Sequence, residues 1–283
     1  MATERRGYIF PSRMVAVPRT VLSAYAPSLF IASGFTHPLT CPVHMLMNAP
    51  PQVVFEDEDV LVVDKPGGMV CHSAQRPEYG SLADWLRDHG IPTPRMINRL
   101  DRETSGLIVV VKNERAAKIL GKAVLRREIE KEYLAICWGE FTEDHGVIDQ
   151  PIAVSQTSVV YTKRVVDNAD GKPSRTEYTV EKKLRGFTAV RLTPRTGRAH
   201  QLRVHLAWLG HPIVGDKIYG PDETLYLQFI EKGVTNEMLD KLLLPRHALH
   251  AEHVTFRHPT TQERATFAAQ LPEDMQTFIE EHA

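Results

Sequence analysis

The sequence predicts an α+β fold in which helices flank a mixed, mainly antiparallel β-sheet. Two observations carry this prediction: the predicted strands outnumber the helices between them, and successive strands are joined by short turns such as Arg185-Gly186. A doubly wound parallel sheet would instead need a crossover helix after almost every strand. The chain is therefore expected to form a single α+β domain over residues 49–283.

Residues 1–48 lack the pattern of a folded domain. They contain five prolines, no clear amphipathic period, and four arginines against a single acidic residue, Glu4. We expect a poorly ordered N-terminal extension. An Arg-rich, acid-poor segment is also typical of an organellar transit peptide. Met45 and Met47 stand just before the first orderly segment, so the residues ahead of them could also lie upstream of the true start.

Strand signals begin at Gln52. Short apolar runs, alternating or continuous and bounded by Gly or Pro, predict strands. The first two form a hairpin around the acidic turn 56–59, and the third is apolar throughout, which indicates a strand buried on both faces. The predicted strands are 53–55, 60–64, 107–111, 131–138, 158–166, 175–184, 187–192, 248–256 and 264–267.

Helices are predicted where apolar residues recur every three to four positions beside capping residues. Ser81 and Asn113 are expected N-caps of the first two helices, and Gly90 and Gly210 are expected to stop the first and the third. The predicted helices lie between Ser81 and Gly90, from Asn113 to about Leu125, over 199–209, 223–232 and 236–243, and after Pro272.

The composition argues against several classes of protein. Charged residues make up 24% and hydrophobic residues 42% of the 283 residues, which is ordinary for a globular protein. No apolar run approaches the roughly 18 residues that cross a bilayer, so no membrane association is predicted. The three cysteines are far apart and form no CxxC pair. This argues against a disulfide framework or a cysteine zinc site, and a cytoplasmic location is expected.

The net charge of −1 conceals a basic segment. Residues 184–215 contain five arginines and no Asp or Glu. A local positive field of this kind suits contacts with a phosphate backbone even when the whole chain is nearly neutral. The charge distribution therefore indicates a nucleic-acid surface that the overall composition does not reveal.

The stretch 96–111 carries the clearest sign of chemistry. Asp101 lies between Arg99 and Arg102, just before a small turn-forming run and the apolar third strand. Charged groups at the end of a core strand must be paired or used. A hydrogen-bonded ion pair in a turn is the purely structural explanation, and a catalytic carboxylate is the functional one.

A metal site is conceivable in the run His247-Ala-Leu-His250-Ala-Glu-His253. The residues that follow predict a strand, in which alternation places His250 on the face opposite to His247 and His253. Helical i,i+4 spacing and a neighbouring cysteine are both missing from this run. No metal is therefore predicted.

Several motifs together resemble one known family. Residues 99–106, Arg-Leu-Asp-Arg-Glu-Thr-Ser-Gly, resemble the RLDxxTSG signature of the RluA-type pseudouridine synthases. Residues 196–205 are similar to that family's TGRxHQ(I/L)RVH motif, and 131–133 to its tyrosine-bearing strand. Segments 210–216 and 249–251 match further landmarks. The motifs occur in family order, and the resemblance covers about residues 50–275.

Two features depart from the family pattern. Asn98 stands where many members carry His, although Asn retains the capacity to hydrogen-bond. The first 48 residues are too short for the S4 RNA-binding module that is frequent in the family, and they lack its basic helical pattern. The resemblance thus implies a minimal member that holds RNA on the basic surface of its catalytic domain.

The resemblance implies an isomerase that converts uridine to pseudouridine in tRNA, rRNA or both, without a cofactor. Asp101 would be the catalytic carboxylate, and it would either attack C1′ or remove the C2′ proton. Arg203 would keep Asp101 ionised and aim it. Tyr133 would stack on the uracil and help to remove the C5 proton.

RNA binding is implied for a second group of residues around a central cleft. The target base must be flipped out of its stack, and Arg99 would fill the gap that it leaves. Arg198 would bind phosphate or support the scaffold, and His200 and Gln201 belong to the same RNA-binding set. A monomer acting on RNA alone is expected.

Two alternatives from other classes remain. A catalytically silent RNA-binding protein of the same fold would not need the complete set of Asp101, Tyr133 and Arg203. A carboxylate-dependent glycosidase would need a partner acid in a comparable motif, and the sequence shows none.

Overall fold

The computed structural model describes residues 49–72 and 80–283. The predicted N-terminal extension, residues 1–48, lies outside the described residues. The strands are β1 (Gln52–Glu56), β2 (Val60–Lys65), β3 (Arg95–Met96), β4 (Ser105–Val111), β5 (Glu130–Trp138), β6 (His145–Asp149), β7 (Ile152–Val154), β8 (Arg164–Val166), β9 (Arg175–Leu184), β10 (Phe187–Pro194), β11 (Leu249–Arg257) and β12 (Arg264–Ala268). The helices are α1 (Leu82–Asp88), α2 (Glu114–Leu125), α3 (Gln201–Trp208), α4 (Thr224–Lys232), α5 (Asn236–Leu242) and α6 (Glu273–Glu281).

Ten of these strands form one open sheet in the order β1-β2-β4-β11-β5-β10-β9-β6, with β3 on β4 and β12 on β11. β4 and β11 run parallel. Every other pairing between strands of this sheet in the described chain is antiparallel. The remaining two strands, β7 and β8, form a separate antiparallel pair. The predicted α+β class with a mixed, mainly antiparallel sheet is confirmed.

The middle of the sheet is buried on both faces, as the continuous apolar run of β4 predicts. All seven residues of β4 are buried. Because side chains alternate along a strand, Ile108 and Val110 enter one core cluster, while Leu107, Val109 and Val111 enter the other. Helices α1 and α6 cover the first face, and α2 covers the second. No described helix is long and apolar enough to cross a membrane.

The caps that the sequence indicates are formed. Ser81 accepts a hydrogen bond from the backbone N–H of Asp84, and the Asp84 carboxylate accepts one from Ser81 N–H, so α1 begins with a capping box. Asn113 caps α2 by accepting from Ala116 N–H at 2.9 Å. These side chains satisfy backbone donors that the first helical turn leaves without partners.

The predicted strand over 158–166 is wrong in its first two thirds, because only Arg164–Val166 pairs as β8. The hydroxyl of Ser155 accepts from Ser158 N–H, and that of Ser158 accepts from Val160 N–H. These local bonds compete with strand pairing and fold the segment into turns. The short strands β3, β6 and β7 were not predicted.

The third predicted helix is shorter than expected, since α3 begins at Gln201 and not at residue 199. His200 has a φ of 57°, in the left-handed region that non-glycine residues rarely adopt. A right-handed helix cannot extend through that residue.

The strict alternation predicted for the late histidines is also wrong, because β11 starts at Leu249 and its register shifts between Ala251 and His253.

Candidate active site

Asp101 lies in the turn that leads into β4 at the centre of the sheet. The turn is closed by a hydrogen bond from Thr104 N–H to the Asp101 carbonyl at 3.2 Å. The Arg102 carbonyl accepts from Gly68 N–H at 2.8 Å and from the Lys65 ammonium at 3.3 Å. Arg102 Nε in turn donates to the Gly68 carbonyl at 3.0 Å. The loop after β2 thus fixes the backbone on one side of Asp101.

The other side of this turn is tied to β11 and to the segment just before it. The Thr104 hydroxyl lies 2.7 Å from His247 Nε2, and the Ser105 hydroxyl lies 2.9 Å from His250 Nδ1. Burial lowers the pKa of His250 to about 4 and holds that of His247 well below its usual value, so both rings are neutral at pH 7. These two histidines therefore serve as hydrogen-bonding partners of the Thr104-Ser105 turn.

Asp101 pairs with Arg203, which lies in the first turn of α3. Arg203 Nη1 donates to Asp101 Oδ2 at 2.9 Å. The Arg203 side chain is only 6% exposed, whereas that of Asp101 is 31% exposed. Burial alone would lower the pKa of Arg203, but the carboxylates of Asp216 and Asp101 raise it above its usual value. The guanidinium is thus a permanent cation beneath an accessible carboxylate.

Tyr133 lies on β5, between β11 and β10 in the sheet. Its residue surface is 7% exposed. Burial raises the pKa of the Tyr133 phenol, and the nearby charge of Asp101 raises it further. The side chain is therefore a neutral phenol at pH 7, and it lies close enough to Asp101 for that carboxylate to disfavour the phenolate.

The sequence-predicted site residues are brought together around one cavity of about 630 Å³. Its size is within the range of about 300–1,000 Å³ that is usual for small-molecule and nucleotide sites. All seven predicted residues line it: Arg99, Asp101, Tyr133, Arg198, His200, Gln201 and Arg203. They come from the turn before β4, from β5 and from the loop and helix after β10.

Within this set, Gln201 is the residue whose polar atoms are most fully engaged by the protein. Its side-chain oxygen, Oε1, accepts from the Thr196 hydroxyl and from Arg198 N–H, at 2.8 and 3.0 Å. Its amide group donates to the Arg175 carbonyl and to the Thr176 hydroxyl, at 3.0 and 3.1 Å. Gln201 therefore shapes the loop that presents Arg198, and direct contact of Gln201 with RNA stays a prediction.

The arginines of the set differ in how they are held. Arg99 and Arg198 are exposed, and Arg198 Nε donates to the Pro173 carbonyl at 3.2 Å. Exposed guanidinium groups at the rim of a cavity suit contacts with phosphate. Their roles in RNA binding stay predictions.

His200 stands next to the Asp101–Arg203 pair. Its Nδ1 lies 2.9 Å from the Tyr219 hydroxyl, whose oxygen accepts from Arg164 N–H at 2.9 Å. Burial, followed by the charge of Arg203, lowers the pKa of His200 to about 4. His200 is thus a neutral imidazole at pH 7. The left-handed backbone at this residue places its ring in the cavity wall.

Three residues that matter here were not predicted as site residues. Asp216 is completely buried against Arg203, and Tyr219 lies beside the same guanidinium. Asn98, the departure from the family pattern, donates to the Leu107 carbonyl and accepts from Val109 N–H, both at 2.9 Å. Its amide therefore braces β4. The signal for Asp216 was present in the motif 210–216, but nothing local indicated its partner.

The geometry does not favour glycoside hydrolysis. That reaction needs two carboxyl groups flanking the scissile bond. Asp216 is fully buried under Arg203, and the Glu103 carboxylate is held by the Lys217 ammonium at 2.6 Å. Neither is available beside Asp101 as a general acid.

A second cavity, of about 1140 Å³, meets the first at the ion pair. Asp101, Arg102, His200 and Arg203 line both. Asp101 thus lies at the junction of two open spaces and is not enclosed at the bottom of a narrow pocket.

Comparison with known proteins links this chain to one family. The model of the RNA pseudouridylate synthase family matches residues 59–208. The chain is 38% identical over 243 residues to an uncharacterized RNA pseudouridine synthase of Chlorobaculum parvum, covering 82% of this chain and 74% of the relative. It is 36% identical over 239 residues to the ribosomal large subunit pseudouridine synthase D of Vibrio parahaemolyticus, covering 82% and 70%.

Two solved structures are similar in fold to this chain. Human RNA pseudouridylate synthase domain containing 1 superposes with a TM-score of 0.59 at 27% identity, over 82% of this chain and 94% of the human chain. Human RNA pseudouridylate synthase domain containing 4 gives a TM-score of 0.60 at 24% identity, over 83% and 92%, and shows the likeness of fold.

Proposed function

The chain belongs to the RNA pseudouridylate synthase family, whose members isomerise uridine in RNA, and we propose that it modifies ribosomal RNA, transfer RNA or both. In this proposal Asp101 is the catalytic carboxylate. The observation that carries this proposal is the accessible carboxylate of Asp101, held at 2.9 Å by a buried arginine in a cavity that also contains Tyr133. An alternative is an RNA-binding protein of the same fold without chemistry.

The reaction can be balanced with groups that the site contains. The C1′–N1 bond of the target uridine breaks, a C1′–C5 bond forms, the C5 proton leaves, and N1 gains a proton. Asp101 must be ionised to start this sequence, whether it attacks C1′ or removes the C2′ proton. Arg203 Nη1 donates a hydrogen bond to Oδ2, which orients the carboxylate.

Tyr133 has two roles in this proposal. Its ring stacks on the uracil, and its hydroxyl oxygen takes part in removing the C5 proton. The raised pKa of its phenol means that the hydroxyl enters the reaction protonated. It must therefore pass on its own proton as it receives another, and Asp101 is the nearby base that can accept it.

RNA binding is assigned to the rim of the cavity. Arg99 occupies the space of the flipped base, Arg198 contacts phosphate, and the neutral His200 offers hydrogen bonds near the ribose. Gln201 acts by holding the loop of Arg198 in place. The scheme uses no cofactor, and the partner is RNA.

Support for ribosomal RNA comes from relatives named as large subunit pseudouridine synthase D. Support for a cytoplasmic location comes from Cys71 and Cys137, which are buried free thiols in the described chain and suit a reducing compartment. The monomeric state is proposed from the family resemblance alone. Light scattering of the purified chain would test the monomer.

The experiment uses transcripts of large-subunit ribosomal RNA and of tRNA labelled with tritium at uridine C5. Formation of the C1′–C5 bond releases the tritium into water. We expect release from at least one of the two RNA classes, and none with the Asp101→Asn variant, because an amide can neither attack C1′ nor remove a proton. Asp101→Asn should bind RNA within about threefold of wild type, since it removes no phosphate contact.

Wild-type-like release by Asp101→Asn would refute the assignment of the carboxylate. RNA binding by the wild type without tritium release from either transcript would favour the catalytically silent alternative. If the wild type releases tritium, mapping pseudouridines in RNA from a strain that lacks the protein identifies the modified uridine.

A further inference from the structure

Arg203 has a second carboxylate partner that the proposed chemistry does not use. Arg203 Nε donates to Asp216 Oδ2 at 2.6 Å, and Nη2 donates to Asp216 Oδ1 at 2.9 Å. This is a bidentate pair, the geometry that fixes a guanidinium most firmly. Asp216 is 0% exposed, so substrate cannot reach it.

Asp216 is itself held in place by its own turn. Oδ1 accepts from the backbone N–H groups of Ile218 and Tyr219, at 2.9 and 3.0 Å. The Tyr219 ring also lies against the guanidinium, with Arg203 Cζ 5.0 Å from the ring centroid. The orientation of Arg203 is therefore determined from two sides by the segment after α3, and Nη1 is the guanidinium nitrogen that reaches Asp101.

We propose that Asp216 is a positioning residue for the isomerisation, which it serves by holding Arg203 so that Nη1 points at Asp101. This inference rests on the proposed role of Asp101. The chain of contacts runs from a buried, rigid turn through Arg203 to an accessible carboxylate 2.9 Å away. A group that must approach one atom of a flipped nucleotide benefits from such support, because a displacement of about 1 Å can lower a rate about 100-fold.

Electrostatics agree with this role. Burial alone would raise the pKa of the Asp216 carboxyl, but the adjacent Arg203 charge lowers it below its usual value. Asp216 thus stays ionised and offsets much of the guanidinium charge. What Arg203 supplies to Asp101 is then a directed hydrogen bond more than an unbalanced positive charge. Loss of Asp216 should therefore change mainly the direction in which Arg203 Nη1 points.

The alternative is that Asp216 only stabilises the fold. The chain offers a matched control in a second buried carboxylate–arginine pair. Arg246 Nη2 donates to Asp274 Oδ1 at 2.8 Å, and Arg246 Nε lies 2.8 Å from Oδ2. The two side chains are 5% and 4% exposed. Asp274 lies on α6 and makes no bond to Arg203 or Asp101. Its partner Arg246 meets the turn of Asp101 through the backbone, where Nη1 donates to the Glu103 carbonyl at 3.2 Å.

Asp216→Asn is the primary variant. Its amide oxygen can still accept from Ile218 and Tyr219, so the local turn keeps its bonds. The amide nitrogen replaces the oxygen that accepted from Arg203 Nε and places a donor against a donor. Asp216→Ser, which keeps one local acceptor and makes no guanidinium contact, is the second variant and decides the question if Asp216→Asn does not fold.

The measurements are kcat and KM for tritium release from the C5-labelled transcript that wild type modifies, together with thermal unfolding. We expect Asp216→Asn to lower kcat about 100-fold while KM stays within about threefold, because no RNA contact is lost. Asp274→Asn should lower the unfolding temperature similarly and leave kcat within about twofold.

A double-mutant cycle separates action through Arg203 from an independent effect. In the Arg203→Lys background, which cannot form the bidentate pair, adding Asp216→Asn should change kcat less than about threefold. Equal losses in both backgrounds, an equal loss in Asp274→Asn, or wild-type kcat in Asp216→Asn would overturn the inference. Failure of the proposed function is recognised separately, as a wild type that releases no tritium or an Asp101→Asn variant that remains active.

Discussion

At the scale of single residues, the site depends on a pair of opposite charges that are 102 positions apart in the chain. Taken separately, the motif around Asp101 and the motif around Arg203 could each be explained by an ion pair that serves only the fold. The structure joins them to each other at 2.9 Å. A carboxylate that keeps 31% of its surface exposed can reach a ligand while its buried partner fixes its orientation.

Tyr133 allows the stacking and proton-transfer roles to be separated. Tyr133→Phe keeps the ring, so we expect RNA affinity within about twofold of wild type. Tritium release should slow about 100-fold, the range that one acid–base group contributes. Tyr133→Ala loses the ring as well, and RNA binding should weaken by about 1–3 kcal/mol, the contribution of one stacked base. Filter binding and tritium release measure the two effects.

Wild-type release by Tyr133→Phe would restrict Tyr133 to stacking. Unchanged RNA affinity in Tyr133→Ala would instead remove the stacking role.

Some residue-level features were predictable and others were not. Asp101 stood out because a charged side chain beside a buried strand needs an explanation, and Tyr133 and Arg203 were named through the family resemblance. The left-handed backbone of His200 did not stand out, since that conformation is imposed by contacts with Tyr219 and the loop before α3. The bidentate role of Asp216 depends on Arg203, which is 13 residues away and on another element.

At the scale of elements, the approach of β4 to β11 positions the turn that carries Asp101. Gly106 has a φ of 111°, and a Cβ at this position would lie 2.3 Å from the Ala251 carbonyl oxygen. Backbone atoms surround the position on the β11 side, so no flexible side chain can move away. The glycine of the RLDxxTSG motif is therefore explained by close contact between two strands.

Gly106→Ala should destabilise the fold strongly, by roughly 3 kcal/mol or more, because strain in φ and a backbone clash add. The unfolding temperature should fall by about 2–4 °C for each kcal/mol of lost stability in a domain of this size. The control is Gly121→Ala in α2, where nothing lies within 4 Å of the added Cβ. Alanine there should stabilise the helix by up to about 1 kcal/mol. Equal unfolding temperatures for the two variants would contradict the close-contact explanation.

Among the elements, longer ones with a clear apolar pattern or cap residue were predicted well, and short ones were predicted poorly. The β4 run was predicted because it is apolar throughout, and α2 because Asn113 marks its start. β8 was overextended because serine hydroxyls capture backbone N–H groups locally. β3 has two residues and β7 three, too few to show a period.

At the scale of the whole molecule, buried neutral histidines couple stability to pH. Burial lowers the pKa values of His200 and His250 to about 4, and it lowers those of His205 and His247 as well. In the unfolded chain these imidazoles titrate near pH 6.5. Between pH 6.5 and 4 the unfolded state therefore binds more protons than the folded state. The contribution of these histidines to the free energy of unfolding is fully present above pH 6.5 and is lost as the pH falls towards 4.

We expect the unfolding temperature to fall steadily from pH 7.5 to pH 4.5. Asp64 acts in the opposite direction, because burial raises its pKa to about 6 and the folded state then binds its proton more readily. One carboxyl offsets only part of the effect of four histidines. Differential scanning calorimetry across this range measures the balance. An unfolding temperature that rises or stays constant down to pH 4.5 would show that the histidines are not held neutral.

The class of the fold and the family could be predicted from the sequence, and so could the residues that line the cavity. These depend on local patterns: the period of apolar residues, cap residues, and motifs in a fixed order. The folded structure was needed to show which charges meet, because Asp101, Arg203 and Asp216 lie on three separate segments that the sheet and α3 bring together. It also decided that Asp101 stays accessible while its partners are buried. Exposure and pairing depend on packing between distant segments, and no local pattern in a chain records them.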